Sequence, residues 1–386
     1  MACCVILAGS RAQRPGRGGQ MWVFLQYLLG FRRLDCDVLY VDALEPDSYV
    51  DEQGQPCPLE DSWSVRYFRQ VMKQFDLAGN YALLCDGGKI CLGLSRAELI
   101  ERVQRSACLI NVMGFLRDEE ILAATPRRVF LDIDPGFGQM WRELELADIF
   151  AGHDDYVTVG ANMGQPGSTV PSCGLRWNPT VPPVVLDEWP RCPADGSGQF
   201  TSVVTWRGVF GPVEFRGRTY GLRVHEFRKF VELPRRSGKR FELALDIHPN
   251  DARDLQLLTE NGWQLADPAR VAQSPDDYRR YIQRSQAEFG VAKNMYVETR
   301  GGWISDRTVC YLASGKPALV QDTGIRDLYP TGEGLLVFSN LEEALDGVER
   351  ICRDYELHAA AARRIAEEHF DSDKVLSRLL QSLGVD

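Results

Sequence analysis

The chain has 386 residues, 44% hydrophobic and 25% charged, enough for two domains with real cores. Its net charge of −10 argues against a nucleic-acid partner held by phosphate neutralisation. No apolar run approaches the ~20 residues that span a bilayer, and eleven scattered Cys, with no CxxC and no Cys/His zinc spacing, read as reduced packing residues in a cytoplasmic protein.

Residues 1–7 read as a first buried strand, too short and without the basic flank of a signal peptide. A polar Gly-rich loop follows, then an amphipathic helix over 20–31 and a strand over 38–41. Further strands are predicted at 81–85, 107–112, 128–133 and 155–160, with helices at 96–104 and 118–124. This alternation implies a parallel sheet covered on both faces. The stretch 166–200, rich in Pro, Gly, Ser and Trp, reads as a connector. The pattern then restarts, with strands at 201–205, 241–247, 318–320 and 334–338. Helices are predicted at 222–232, 255–261, 274–286, 341–353, 356–370 and 374–383. The predicted fold class is α/β, with two facing Rossmann-like domains of parallel sheet over 1–180 and 200–365. Helices over 366–386 are expected to return to the first domain.

Residues 298–324, ETRGGWISDRTVCYLASGKPALVQDTG, hold the densest local signals. Gly301 and Gly302 permit a close backbone turn. Ser305 is placed to cap a helix whose first turn carries Asp306. Val309, Leu312 and Ala313 share one face, and Gly315 with Pro317 ends the helix. A short apolar strand then exits at Gln321, Asp322, Thr323 and Gly324. A helix start facing a strand end suits phosphate and sugar hydroxyls together.

These residues resemble a two-domain glycosyltransferase of the GT-B type. Near the start, GRGGQMWVFLQYLLGFRRLDCDVLYVD is similar to the Gly-Gly loop and first helix of such enzymes. GWISDRTVCYLASGKPALVQD resembles their donor-sugar signature, through Gly302, Trp303, Ser305, Gly315, Pro317 and the polar pair Gln321–Asp322. EEHFDSDKVLSRLL resembles their closing helices. Where the signature carries a Glu in the helix, Cys310 stands here, with Asp306 a turn earlier.

The resemblance implies a transferase that moves a sugar from a nucleoside diphosphate sugar to an acceptor hydroxyl in the inter-domain cleft. It would be hexosyltransferase-like and metal-independent, with no cofactor beyond its substrates. The donor would sit on the second half. Arg207 at the end of the 201–205 strand, Lys293 and Arg307 would face the diphosphate. Asp306, Gln321 and Asp322 would meet sugar or ribose hydroxyls, although Asp322 is equally a turn former. Gly18 and Gly19 would approach a phosphate or the acceptor, or form a plain turn. The acceptor base is expected to be Asp134 or His153. Trp141 and Trp177 would stack on an acceptor or pack at a domain interface. Two alternatives stay open: a nucleotide-sugar epimerase on the same fold, and a non-catalytic sugar-nucleotide or glycan-binding protein. A GxGxxG dinucleotide fingerprint is missing.

Overall fold

The computed structural model describes residues 3–193, 196, 198–208 and 210–385. Residues 1 and 2 of the expected first strand, 194, 195 and 197 of the expected connector, and the terminal residue 386 lie outside them. The first sheet is built from β1 (Cys4–Ala8), β2 (Asp37–Leu44), β3 (Tyr81–Cys85), β4 (Ile90–Gly93), β5 (Cys108–Val112), β6 (Arg128–Asp132), β7 (Asp155–Thr158) and β8 (Trp177–Pro179). Its spatial order is β4-β3-β2-β1-β5-β6-β7-β8, parallel except for the antiparallel edge β3–β4. The second comprises β9 (Gln199–Thr205), β12 (Arg240–Asp246), β13 (Trp263–Ala266), β14 (Ala287–Gly290), β15 (Ala318–Gln321) and β16 (Leu335–Phe338). It runs β13-β12-β9-β14-β15-β16, all parallel, and β10 (Val213–Phe215) pairs with β11 (Arg218–Tyr220) as a separate hairpin.

In each sheet the first strand is central and the chain winds outward on both sides. The order reverses between β1 and β5, and again between β9 and β14. Such switch points open a crevice beyond the strand ends. Central position explains the composition of β1, where Val5, Ile6, Leu7 and Ala8 are all buried. A strand covered on both faces reads as continuous apolar sequence.

The helix Gly18–Arg33 is longer than the predicted 20–31 and is buried along almost its whole length. It packs between its own sheet and the second domain. Trp22 Nε1 donates to the Pro275 carbonyl at 2.8 Å, and Gly18 N donates to the Ala272 carbonyl at 2.9 Å. The closing helix Ser372–Ser382 lies on the same helix, where a Cβ at Gly30 would stand 2.5 Å from Leu376 Cδ1. A second apolar bridge joins Phe137 and Met140 of the first domain to Val213, Tyr220, Met295 and Tyr296 of the second.

Several elements differ from expectation. The predicted helix over 222–232 is a short helix, Arg223–Arg228, with a second, Leu233–Ser237, after it. The β10–β11 hairpin was not foreseen. Its turn, Arg216-Gly217, has positive φ at both residues, 49° and 74°, the geometry that matches strand twist in a two-residue hairpin. Within the expected connector, Trp177–Pro179 pairs in parallel with β7. The predicted 356–370 helix is regular only over Tyr355–Ile365 and loosens to a π-turn at Ala366–Phe370. All eleven cysteines are free. Among the described residues no helix is long and apolar enough to cross a membrane.

Candidate active site

A cavity of about 790 Å³ lies between the two sheets. Its wall in the first domain comes from loops just past the strand ends. Ser10 and Arg11 follow β1, Glu45 follows β2, Gly87 and Gly88 follow β3, Met113 follows β5, and Asp134 follows β6. The opposite wall holds Thr205 and Gly208 at the end of β9, then Arg223, Lys293, Tyr296, Trp303, Ser305 and Asp306. The C-terminal edges of both parallel sheets therefore address one space.

Arg223 is fixed by backbone carbonyls at both sides of the second switch point. Its Nη1 donates to Thr205 O at 2.9 Å and its Nε to Val291 O at 3.1 Å. Burial and the nearby Arg307 bring its pKa down to about 10, so it stays protonated at neutral pH. Lys293 crosses the cleft to Asp134, with Nζ 2.9 Å from Oδ2. The Tyr296 hydroxyl also donates to Asp134. The Lys293 ammonium stands 5.0 Å from the Phe137 ring and 5.3 Å from the Tyr296 ring. Tyr296 stacks in turn on Trp303, with centroids 4.0 Å apart and planes 15° apart.

The helix Asp306–Ala313 points its start at the cavity, and Ser305 caps it by accepting from Arg307 N. Asp306 lines the cavity, and removal from water together with the Asp134 charge pushes its carboxyl up to about 6. Behind Asp134, the buried Asp132 accepts from Gln139 Nε2, Thr158 Oγ1 and Asp134 N. Burial raises it to about 7.

Of the residues singled out from sequence, Asp134, Lys293, Trp303, Ser305 and Asp306 meet in this cavity. The others do not line it. His153 is held inside the first domain, its Nδ1 3.0 Å from Phe150 O and its Nε2 3.1 Å from Asn111 Nδ2. Burial lowers its pKa against the pull of the Phe150 carbonyl, and the Asn111 amide donor at Nε2 suits the neutral ring. It does not reach the cavity. Arg207 turns outward to Asp251, with which it forms an ion pair. Arg307 packs against Glu288 at 2.7 Å with most of its side chain covered and donates to Val203 O, facing with Gln321 and Thr323 a crevice of about 20 Å³.

Gln321 accepts from Ala292 N and donates to Glu226, so its amide is used in the core. Asp322 accepts from Gly324 N and Ile325 N, the turn chemistry of a short acid. Thr323 Oγ1 donates to Trp303 O. Gly302 and Gly324 approach protein rather than ligand. Added Cβ atoms would stand 2.9 Å from Asn162 N and 2.7 Å from Arg300 O. Asn162 itself belongs to the first domain and donates to Gly324 O at 2.8 Å. Gly18 and Gly19 likewise make room for Ser274 and Tyr278. Cys310, at the signature's Glu position, is buried with its thiol 3.7 Å from Gln26 Nε2. Trp141 packs at the interface on Phe210, whereas Trp177 joins Phe150 and Tyr156 inside the first domain.

Sequence reasoning missed Arg223, Arg11 and Tyr296. Arg223 and Tyr296 carry no motif. Arg11 was legible only as part of the loop after the first strand.

Residues 230–381 match the family model described as glycosyl transferase-like. Similar solved structures include an alpha-glucosyltransferase in complex with UDP-glucose and DNA containing an abasic site. It is 11% identical, with a TM-score of 0.59 over 100% of both chains. An alpha-glucosyltransferase (AGT) in complex with UDP has 11% identity and a TM-score of 0.58, again over 100% of both. Anabaena Alr3699/HepE, solved with UDP and glucose, has 11% identity and a TM-score of 0.57 over 99% of both chains. No curated protein matches by sequence. The chain thus has the GT-B fold of these glycosyltransferases, and its residues 230–381 match the glycosyl transferase-like model.

Proposed function

We propose that the protein transfers a hexosyl group from a nucleoside diphosphate sugar to an acceptor hydroxyl in the inter-domain cleft. One observation carries this reading: the two sheets open onto a shared cavity whose second-domain wall presents Arg223 and Lys293. Breaking the bond from the sugar to its diphosphate builds negative charge on the leaving phosphate. Cations already fixed in place stabilise that charge without reorganising. Arg223, locked by two carbonyls, has this property. The acceptor oxygen forms the new bond to the sugar, and its proton passes to a carboxylate. Asp134, on the acceptor wall, is that carboxylate. In this reading Lys293 leaves Asp134 for the diphosphate when donor binds.

UDP is the first nucleotide to test, because the similar structures were solved with it. The test is a thermal-shift screen with UDP, GDP, ADP and dTDP, followed by sugar transfer with the matching donors. A rise in Tm with one nucleotide and release of that nucleotide during transfer support the reading. No shift with any of the four would overturn it. Metal independence belongs to the same reading, and loss of turnover in EDTA with recovery in Mg²⁺ would remove it. A cytoplasmic setting fits eleven reduced cysteines. The net charge of −10 speaks against nucleic acid as acceptor. The alpha-glucosyltransferase was solved with DNA, so a gel shift with duplex DNA completes the screen.

A further inference from the structure

The first-domain wall of the cleft carries three arginines, Arg11, Arg14 and Arg117. Among the described residues, none of them forms an ion pair. The carboxylates nearby are mostly committed elsewhere. Asp118 is clasped by Arg96 through two nitrogens and caps its own helix. Asp42 is buried beneath the wall, where it accepts from the backbone N–H groups of Arg11, Ala12 and Ala43 and from the Tyr40 hydroxyl. Asp134 is taken by Lys293 and Tyr296, and Glu45 is exposed.

Arg11 is unusual within this set. Its guanidinium is held from behind by Gln20 Oε1 and Ser10 Oγ, and it lies 5.3 Å from the centre of the Phe24 ring. Its Nε is out of solvent and has no hydrogen-bond partner. Burial and the neighbouring Arg14 both lower its pKa, against the opposing pull of Asp42. A half-buried guanidinium with no carboxylate in hydrogen-bond contact gains from an anion that completes it. Its planar fork matches phosphate and carboxylate oxygens in pairs.

We propose that the acceptor carries an anionic group, a phosphate or a carboxylate, which Arg11 binds with Arg14 beside it on the first-domain wall. The proposal rests on the glycosyltransferase reading above. The nucleotide that wild type binds from the four-member panel is first held at saturation. Calorimetry then compares glucose 6-phosphate, glucuronate and glucose as matched probes. One or both anions bind at least tenfold tighter than glucose, and the tighter one identifies the group. Arg11→Gln erases that preference and leaves nucleotide Kd within twofold. Arg11→Lys keeps part of it, and Arg14→Gln, at an exposed position, reduces it severalfold. Equal binding of the three probes to wild type overturns the proposal. So does an Arg11→Gln variant that loses nucleotide as strongly as anion, since Arg11 would then serve the donor diphosphate. Failure of all four nucleotides to bind removes the glycosyltransferase reading itself.

Discussion

Two arginines near the end of β9 show how a side chain's fixings decide where it points. Arg207 follows the strand directly, but it is half exposed and paired with Asp251 at the surface. Arg223 lies beyond a hairpin, yet its contacts to the carbonyls of Thr205 and Val291 hold it at the cavity wall. Charge-assisted hydrogen bonds contribute about 1.5–3 kcal/mol, or roughly 10- to 100-fold in affinity. Arg223→Met is therefore expected to raise nucleotide Kd at least tenfold, and Arg207→Ala to leave it within twofold. Calorimetry with the nucleotide checks both, and the reverse order would return Arg207 to the site. Asp306 gives a second residue-scale prediction. Its folded carboxyl titrates at about 6, against 3.8 for a free one. Between those values the native state holds a proton that the unfolded chain has lost, so stability falls as pH rises from about 4 to 6. Asp306→Asn removes this term. The variant should match wild type near pH 4 and exceed it by up to ~3 kcal/mol at pH 7. Urea midpoints at the two pH values measure it. A difference that does not change with pH would show that the Asp306 carboxyl is not destabilised by its surroundings.

Elements show what local sequence encodes and what it cannot. The helix Asp306–Ala313 was legible because its start is written in adjacent residues: Ser305 caps it, and Gly315, at φ 69°, ends it. Replacing the cap, Ser305→Ala, should lower stability by about 1 kcal/mol, seen as a lower Tm. The strand–helix alternation was legible for the same reason, since buried parallel strands are apolar runs. Partners distant in sequence were not. The Gly-Gly pairs at 18–19 and 301–302 signal close approach, but sequence does not say to what. In the fold, Gly18 faces Ser274 and Gly302 faces Asn162. A Cβ at Gly18 would stand 2.1 Å from the Ser274 carbonyl oxygen, a backbone atom with little freedom to move. Gly18→Ala should lower stability by roughly 1–3 kcal/mol, the usual cost of overpacking. Nucleotide affinity of the folded protein should be retained. Full stability with lost affinity would put that loop back against a ligand.

At the scale of the whole molecule, the domains are tied in two different ways. The floor of the interface is directly hydrogen-bonded, through Trp22 to Pro275, Gly18 to Ala272 and Tyr67 to Gln273. The cavity is crossed by Asp134 and Lys293, whose side chains keep 19% and 12% of their exposure. Backbone carbonyls that accept from an indole, an amide and a phenol have no charge to exchange on binding, whereas the ammonium of Lys293 can trade a carboxylate for a phosphate. In the proposed reading, that trade would link the two domains to donor occupancy and set Asp134 against the donor for the same cation. Two effects of Asp134→Asn follow, with opposite signs. Removing the competing charge frees Lys293, so nucleotide affinity should rise severalfold. Removing the proton acceptor should lower turnover by 10²-fold or more. Lys293→Met should weaken nucleotide binding instead, and in the double variant the gain from Asp134→Asn should vanish, because the two side chains act through one contact. Calorimetric Kd values for the four proteins and transfer rates for wild type and Asp134→Asn decide this. If Asp134→Asn binds nucleotide no more tightly than wild type, Lys293 does not leave its partner, and the donor diphosphate depends on Arg223 and the start of the Asp306–Ala313 helix.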